Sequence, residues 1–314
     1  YKMKGAAKED ILSELSKIDG INVSGNKTKT IKRRIITDLN TSQYPTNPVV
    51  PFTEVVHDRI NIEITRGCTC GCRFCQAGMI YRPVRERNPV TALKLADQAL
   101  ANTGYDEVSF TSLNAGDYSE LLTLSRLFNR KFKDKNISFS LPSLRVCSIN
   151  DELLSEIKQV RRSGFTIAPE AATERLRSVI NKNFADEDYD RTLYSIFKAG
   201  WLNLKLYFMI GLPTETDEDI ENIILMAKKA FKTAKKYTKR SPNITVSVST
   251  FVPKPHTPFQ WGGQIPIEEI IRKKKFVKHA IDKSGMKCKS NDEYMSMLEA
   301  AISRGGQEMS KLLH

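Results

Sequence analysis

Ile60-Asn-Ile-Glu-Ile64-Thr-Arg-Gly67-Cys68-Thr-Cys70-Gly-Cys72-Arg-Phe74-Cys75 runs from an alternating apolar segment into four cysteines within eight positions. The isoleucines at 60, 62 and 64 recur with the period of a half-buried strand. That strand delivers the chain to a loop in which Cys68, Cys72 and Cys75 stand in a C-x3-C-x2-C spacing. Thiols this close cannot all form bridges with one another, because a disulfide demands a particular Cα separation and Cβ direction. They can converge on one metal or cluster. Three thiolates hold three corners of a four-iron cluster and leave the fourth iron without a protein ligand. An open coordination position distinguishes a catalytic centre from a structural one, and electron-transfer clusters normally use four cysteines.

Outward from the loop the pattern alternates strand and helix. Further strands are expected at Glu107–Thr111, Ile137–Leu141, Phe165–Ala168, Leu204–Ile210 and Ile244–Phe251. Between them lie helical stripes, such as Leu121, Leu124 and Phe128, and Leu153, Leu154, Ile157 and Val160. Asp117 and Glu120 read as a capping box for the first of these, and Asn150 as the N-cap of the second. Parallel neighbours need crossover connections, nearly always right-handed. Six such units predict an α/β fold, a partial (β/α)6 TIM-like barrel, with ligands at the carboxyl ends of the strands. The cysteine loop follows the first strand and so lies at that mouth. Three segments are expected: an N-terminal extension or linker over 1–56, the core over 57–265, and a C-terminal helical segment over 266–314.

The chain has 314 residues, 40% of them hydrophobic, enough for a sizeable core. It contains no apolar run of about eighteen residues, the length of a membrane span. Cys147 and Cys288 are scattered and the other four cysteines are local, which is not a secreted disulfide framework and points to a reducing cytoplasm. The chain begins at Tyr1 rather than Met, so it is expected to be a fragment. The net charge of +13 invites an RNA partner. Much of it, however, lies in lysines spaced between Ile220, Ile223, Ile224, Ala227 and Phe231, the pattern of a solvated amphipathic face.

The loop resembles the signature of radical S-adenosylmethionine (SAM) enzymes. Glu63–Cys68, Cys72–Gly78, Tyr81–Arg87 and Phe251–Trp261 resemble more closely the subgroup often carried behind a cobalamin-binding-type domain and related to the methylthiotransferases. The resemblance implies a [4Fe-4S] cluster on Cys68, Cys72 and Cys75, with SAM chelating the open iron. One-electron cleavage of SAM would then give a 5′-deoxyadenosyl radical that takes hydrogen from a substrate. It implies Phe74 beside the cluster and adenine. Ser112 or Asn114 would stand where the family usually places Gly-Gly-Glu against the SAM amino group. Ser143 and Arg145, following the third strand, and Glu170, following the fourth, would be further SAM contacts. Arg175 or Arg177 would reach the SAM carboxylate, and Gly211 would let backbone approach the adenine. An electron donor such as flavodoxin or ferredoxin is the implied partner. Cobalamin, if used, would bind upstream of Tyr1, since no Asp-x-His-x-x-Gly motif occurs in the chain.

Competing readings stay open on the sequence alone. The reaction can be tRNA methylthiolation or cobalamin-linked methyl transfer. The non-enzymatic alternative is a zinc-bearing RNA-binding module, with Cys70 as the fourth ligand. Tyr81, Arg82, Arg85 and Arg87 either brace the cysteine loop or bind an anion, and Glu170 with Arg145 could be a plain ion pair. Cys70 itself reads most simply as an inert loop thiol.

Overall fold

The structure, a computed structural model, describes residues 5–23, 30–142, 144–159 and 164–314. It divides into two compact units, Tyr1–Ser42 and Gln43–His314. Among its described residues the first carries one helix, α1 (Lys8–Ser16). Residues 43–56, expected within the N-terminal extension, belong to the second unit: the Tyr44 hydroxyl donates to the Asn61 carbonyl, and Asn102 Nδ2 donates to the Thr46 carbonyl at 2.9 Å.

The second unit begins with β1 (Ile60–Glu63) and β2 (Thr65–Arg66), then α2 (Gln76–Ile80), β3 (Arg85–Glu86) and α3 (Pro89–Thr103). There follow β4 (Glu107–Thr111), α4 (Leu121–Phe132), β5 (Ser138–Ser140), α5 (Asp151–Ile157) and β6 (Phe165–Glu170). Next come α6 (Glu174–Val179), α7 (Asp186–Lys198), β7 (Asn203–Ile210), α8 (Asp217–Lys235) and β8 (Asn243–Thr250). The chain ends with α9 (Ile267–Lys283), β9 (Lys287–Ser290), α10 (Glu293–Arg304) and the short α11 (Ser310–Leu313). Val160, expected on the inner stripe of α5, lies outside the described residues.

All the barrel strands run parallel. β1, β4 and β5 pair in that order, and β6, β7, β8 and β9 form a second run, with an isolated parallel bridge from Leu144 to Ile167 between β5 and β6. The six expected strands are all present within a few residues of their expected bounds. The seventh, β9, was not foreseen in the C-terminal segment: Lys-Cys-Lys-Ser is too polar to read as a strand. It is held as an edge, pairing Lys287 with Thr245 and Ser290 with Val248. Its polarity suits an edge, where charged residues discourage further pairing. Among the described residues β1 pairs only with β4, so the barrel is open.

Burial alternates along each strand. In β7, Leu204, Leu206, Phe208 and Ile210 point outward into the helix layer, while Lys205, Tyr207 and Met209 face inward and stay half-exposed. The outer layer is closed by helices with apolar inner stripes, including Ala92, Ala96 and Ala99 on α3 and Leu124, Phe128 and Phe132 on α4. Phe128 is the centre of an aromatic nest, 5.5 Å from Phe110 in an edge-on contact and 5.5 Å from Phe139. Such pairs add to the area they bury. The lysine-rich α8 buries Ile220, Ile223, Ile224, Ala227, Ala230 and Ala234, and its lysines lie on the opposite, exposed face.

Phe128 is fully buried, so Phe128→Ala should destabilise the chain by about 3–5 kcal/mol. Urea unfolding followed by circular dichroism would show this as a fall in midpoint with an unchanged slope.

Candidate functional site

The cysteine loop leaves β2 through a tight passage. Gly67 has φ +94°, and a Cβ there would lie 2.6 Å from the carbonyl oxygens of both Tyr81 and Pro83. Only glycine fits so close a backbone approach at that φ. The loop's two ends are then clasped by β2 and β3, which pair antiparallel with Thr65 opposite Glu86 and Arg66 opposite Arg85. Arg85 is buried and donates from Nε to the Pro83 carbonyl (3.0 Å) and from Nη2 to the Tyr81 carbonyl (3.0 Å). Arg87, also buried, donates from Nε to the Glu63 carbonyl at 2.9 Å. These two arginines therefore brace the loop.

The rest of the barrel holds the loop from its other side. Arg73 donates from Nη1 to the Val179 carbonyl at 2.7 Å, and its own N–H reaches the Ile180 carbonyl at 2.9 Å. A cation at the end of α6 is favoured by the carbonyls left unpaired there. Asn181 Nδ2 donates to the Gly71 carbonyl at 3.0 Å. Gln76 Nε2 donates to the Pro255 carbonyl at 3.2 Å, which docks the 251–261 segment onto α2.

Within this frame Cys68, Cys70, Cys72 and Cys75 all line one cavity of about 380 Å³ at the carboxyl ends of the strands. Four residues expected beside them are on the same wall: Phe74, Asn114, Arg145 and Glu170. Phe74 also packs against a small apolar cluster that includes Leu176, Leu212 and Phe251. Asn114 is 8% exposed, and its Oδ1 has no partner among the described residues. The Ser112 hydroxyl, just before it, is buried and likewise without a partner, although Ser112 is not on the cavity wall. Ser143 lies outside the described residues.

Two side chains that sequence reasoning missed complete the wall, Lys182 and Tyr207. Lys182 Nζ lies 3.0 Å from Glu170 Oε1, so the partner of Glu170 is Lys182 rather than Arg145. Nothing in the sequence set this lysine apart from the many others. Tyr207 had a signal, the polar alternation of β7, which marks its inner face. Glu170 is held at φ +67°, beyond a shift in the β6–β7 register. A non-glycine residue there is strained by about 1–3 kcal/mol, and such residues cluster at functional sites.

Two expected residues go elsewhere. Arg177 is wholly buried away from the cavity: it donates from Nη1 to the Ala172 carbonyl (2.8 Å), pairs with Asp186, and stacks 4.1 Å from the Phe184 ring centroid. It is spent on the turn between α6 and α7. Arg175, the other candidate, pairs with Asp219 on α8. Gly211 is not on the cavity wall. Its N–H is held by the Glu215 carboxylate at 2.8 and 2.9 Å, and a Cβ at its φ of +79° would lie 2.9 Å from Ile265 Cδ1. The glycine answers to Ile265, and its amide is occupied. Asp117 does not cap α4, whose N-cap is Glu120. Asp117 ends a short turn, and its Oδ2 accepts from the Cys70 thiol at 3.2 Å.

The four thiols differ in surroundings. The hydrogen bond with Cys70 pulls the Cys68 thiol below its ordinary range, against burial, and raises Cys70 in turn. Burial pushes Cys72 up, with Lys182 and Arg145 working against it. Burial pulls the Arg145 guanidinium down, but Cys70 and Cys72 outweigh it and the group is raised. Cys75 accepts from the Gly78 N–H at 3.3 Å across the start of α2. No three His, Cys, Asp or Glu side chains among the described residues converge as the ligands of a single ion do. The thiols instead ring a cavity large enough for a cluster and a small molecule, with cations and an unpartnered amide oxygen beside them.

A partial parallel barrel with a three-thiol loop at the mouth defines a class of enzymes that mount an iron–sulfur cluster with one open corner. A family model for the radical SAM superfamily matches residues 62–227, and the chain belongs to that superfamily. It is similar to an uncharacterised protein of Methanocaldococcus jannaschii, 31% identical over 300 residues, covering 94% of this chain and 63% of that protein. A tRNA-2-methylthio-N(6)-dimethylallyladenosine synthase of Thermotoga petrophila is 24% identical over 229 residues, covering 69% of this chain and 48% of that one. The chain thus spans less than two thirds of these relatives. Among solved structures, the radical SAM methyltransferase TsrM of Kitasatospora setae, with cobalamin and a [4Fe-4S] cluster bound, superposes with a TM-score of 0.52 at 15% identity, covering 64% of this chain and 38% of that one. The cofactors of the superfamily are a [4Fe-4S] cluster and SAM, and the donor set around the cavity fits both.

Replacing Cys68, Cys72 or Cys75 by Ala should abolish iron retention, while Cys70→Ala should load iron near-normally, as measured by iron and sulfide assay after anaerobic reconstitution. Arg177→Met should lower stability by about 1–3 kcal/mol through its lost buried hydrogen bonds. Lys182→Met should weaken SAM binding in equilibrium dialysis and, by leaving the Glu170 carboxylate unpaired, also lower the unfolding midpoint.

Proposed function

We propose that this chain is the catalytic core of a radical SAM enzyme, and the observation that carries it is the convergence of Cys68, Cys72 and Cys75 on one cavity with Asn114, Arg145, Glu170 and Lys182. When bound, the cluster would supply the single electron for reductive cleavage of SAM, the chemistry that would lead to hydrogen abstraction from a substrate. The chain's own residues bind and orient. Cys68, Cys72 and Cys75 hold three corners. The unpartnered Asn114 Oδ1 accepts from the SAM amino group, in place of the carboxylate the family usually offers. Arg145 and Lys182 face the SAM carboxylate, a role that bidentate Arg geometry suits. Glu170 keeps Lys182 in place through their ion pair. Phe74 and Tyr207 present ring surface to the cavity and exclude water from it.

The polar inner face of the barrel, with Asn61, Ser109, Thr111, Ser247 and Ser249, supports a polar substrate. A tRNA substrate is the second reading, supported by the methylthiotransferase relatives and the charge of +13. A cobalamin-linked methyl transfer draws support from the fold likeness to TsrM, and cobalamin would need a region outside this chain. Flavodoxin or ferredoxin would be the electron donor, in the cytoplasm. Among the described residues no helix is long and apolar enough to cross a membrane.

Anaerobic reconstitution with iron and sulfide should give a brown protein that, with SAM and a strong reductant, forms 5′-deoxyadenosine detectable by mass spectrometry. A colourless product that forms none, with zinc bound instead, sinks the proposal. RNA affinity falling steeply with salt would move the substrate assignment to RNA.

A further inference from the structure

Cys70 is the one thiol on the cavity wall to which the three-cysteine mount gives no task, yet it is not a loose loop residue. Asn181 fixes the loop's backbone beside it, donating to the Cys70 carbonyl at 3.3 Å and the Gly71 carbonyl at 3.0 Å. Its side chain lies between Asp117, whose Oδ2 is 3.2 Å from Sγ, and Asn114, whose Nδ2 donates to Sγ at 3.4 Å. It opens on the same cavity as Cys68, Cys72 and Cys75. Beside it stands a second, independent sign of a ligand: Asn114 is more than nine-tenths buried, lines that cavity, and has an Oδ1 with no partner among the described residues. Cys70 and the Asn114 amide thus border one corner of the cavity.

We propose that Cys70 is a conditional fourth ligand, closing the open iron while SAM is absent and yielding that place when SAM binds. This rests on the cluster reading of the other three cysteines. Cys70 gives its thiol proton to the Asp117 carboxylate as its sulfur–iron bond forms. When the amino and carboxylate groups of SAM take the iron, that bond breaks and Cys70 recovers the proton from Asp117. No electron moves in the exchange. The consequence is a cluster with no exposed corner between turnovers, and a fourth iron lacking a thiolate is the one lost to oxidants. A site whose open state is only partly populated also binds its ligand more weakly by that fraction, so Cys70 costs SAM affinity in return for protection.

The test compares wild-type, Cys70→Ala, Cys70→Ser and Asp117→Asn chains, each reconstituted anaerobically and shown by circular dichroism to be folded. Without SAM, mild ferricyanide oxidation is followed by electron paramagnetic resonance for the three-iron form. The wild type should keep its fourth iron, both Cys70 variants should lose it several-fold faster, and Asp117→Asn should fall between. Saturating SAM should abolish the difference, and equilibrium dialysis should show tighter SAM binding to Cys70→Ala. Equal loss of the fourth iron in wild type and Cys70→Ala overturns the proposal, as does a difference that persists undiminished with SAM bound. A folded Cys70→Ala that takes up no iron overturns it too, making Cys70 a permanent ligand. A wild-type chain that binds no iron is a separate failure, that of the cluster reading itself.

Discussion

The site depends on one steric constraint, the passage at Gly67. There the chain leaves β2 with two carbonyl oxygens standing where a Cβ would be. The contact forces the loop to turn back at once, so four thiols fall within reach of a single cavity rather than trailing along an extended connector. Arg85 and Arg87 then spend their guanidinium groups on backbone carbonyls of the loop and its supporting strand. A lysine could not replace either without losing the planar, multi-donor fork. The cysteine geometry is thus set by backbone fit and buried arginine before any metal arrives, which lowers the entropy a cluster must overcome to bind.

The second half of the barrel supplies the opposing wall. The loop rests on the carbonyl end of α6 through Arg73 and on the 251–261 segment through Gln76. Displacing α6 or the segment after β8 would move the cysteines. Arg177 belongs to this support: stacked on Phe184 and bonded to Ala172, it fixes the α6–α7 turn from which Lys182 enters the cavity. It is a positioning residue.

Much of this was legible in sequence. The period-2 isoleucines before the cysteines, the crossover rhythm and the C-x3-C-x2-C spacing carried the barrel and the identity of the thiols that share the cavity. What failed did so for physical reasons. β9 is an edge strand whose polar sequence is chosen against aggregation rather than for burial, so no apolar alternation marks it. Arg177 sits on a six-residue helix, where one residue of phase decides between cavity and interior. Asp117 and Glu120 match a capping box in spacing, but the turn Ala115–Asp117 intervenes and turns the aspartate toward Cys70. Lys182 could be found only from the fold, because a lysine has no periodicity of its own.

The charges at the cavity explain why both Lys182 and Arg145 are needed there. Deprotonated cysteines in a half-buried pocket repel one another, and burial alone pushes the Cys72 thiol up. Arg145 and Lys182 oppose that rise from the same wall. Glu170, held at a strained φ, pairs with Lys182 on the cavity wall. The same two cations that make room for thiolates are the groups a zwitterionic amino acid moiety would meet on entering. One balance of charge therefore serves both the mount and its ligand.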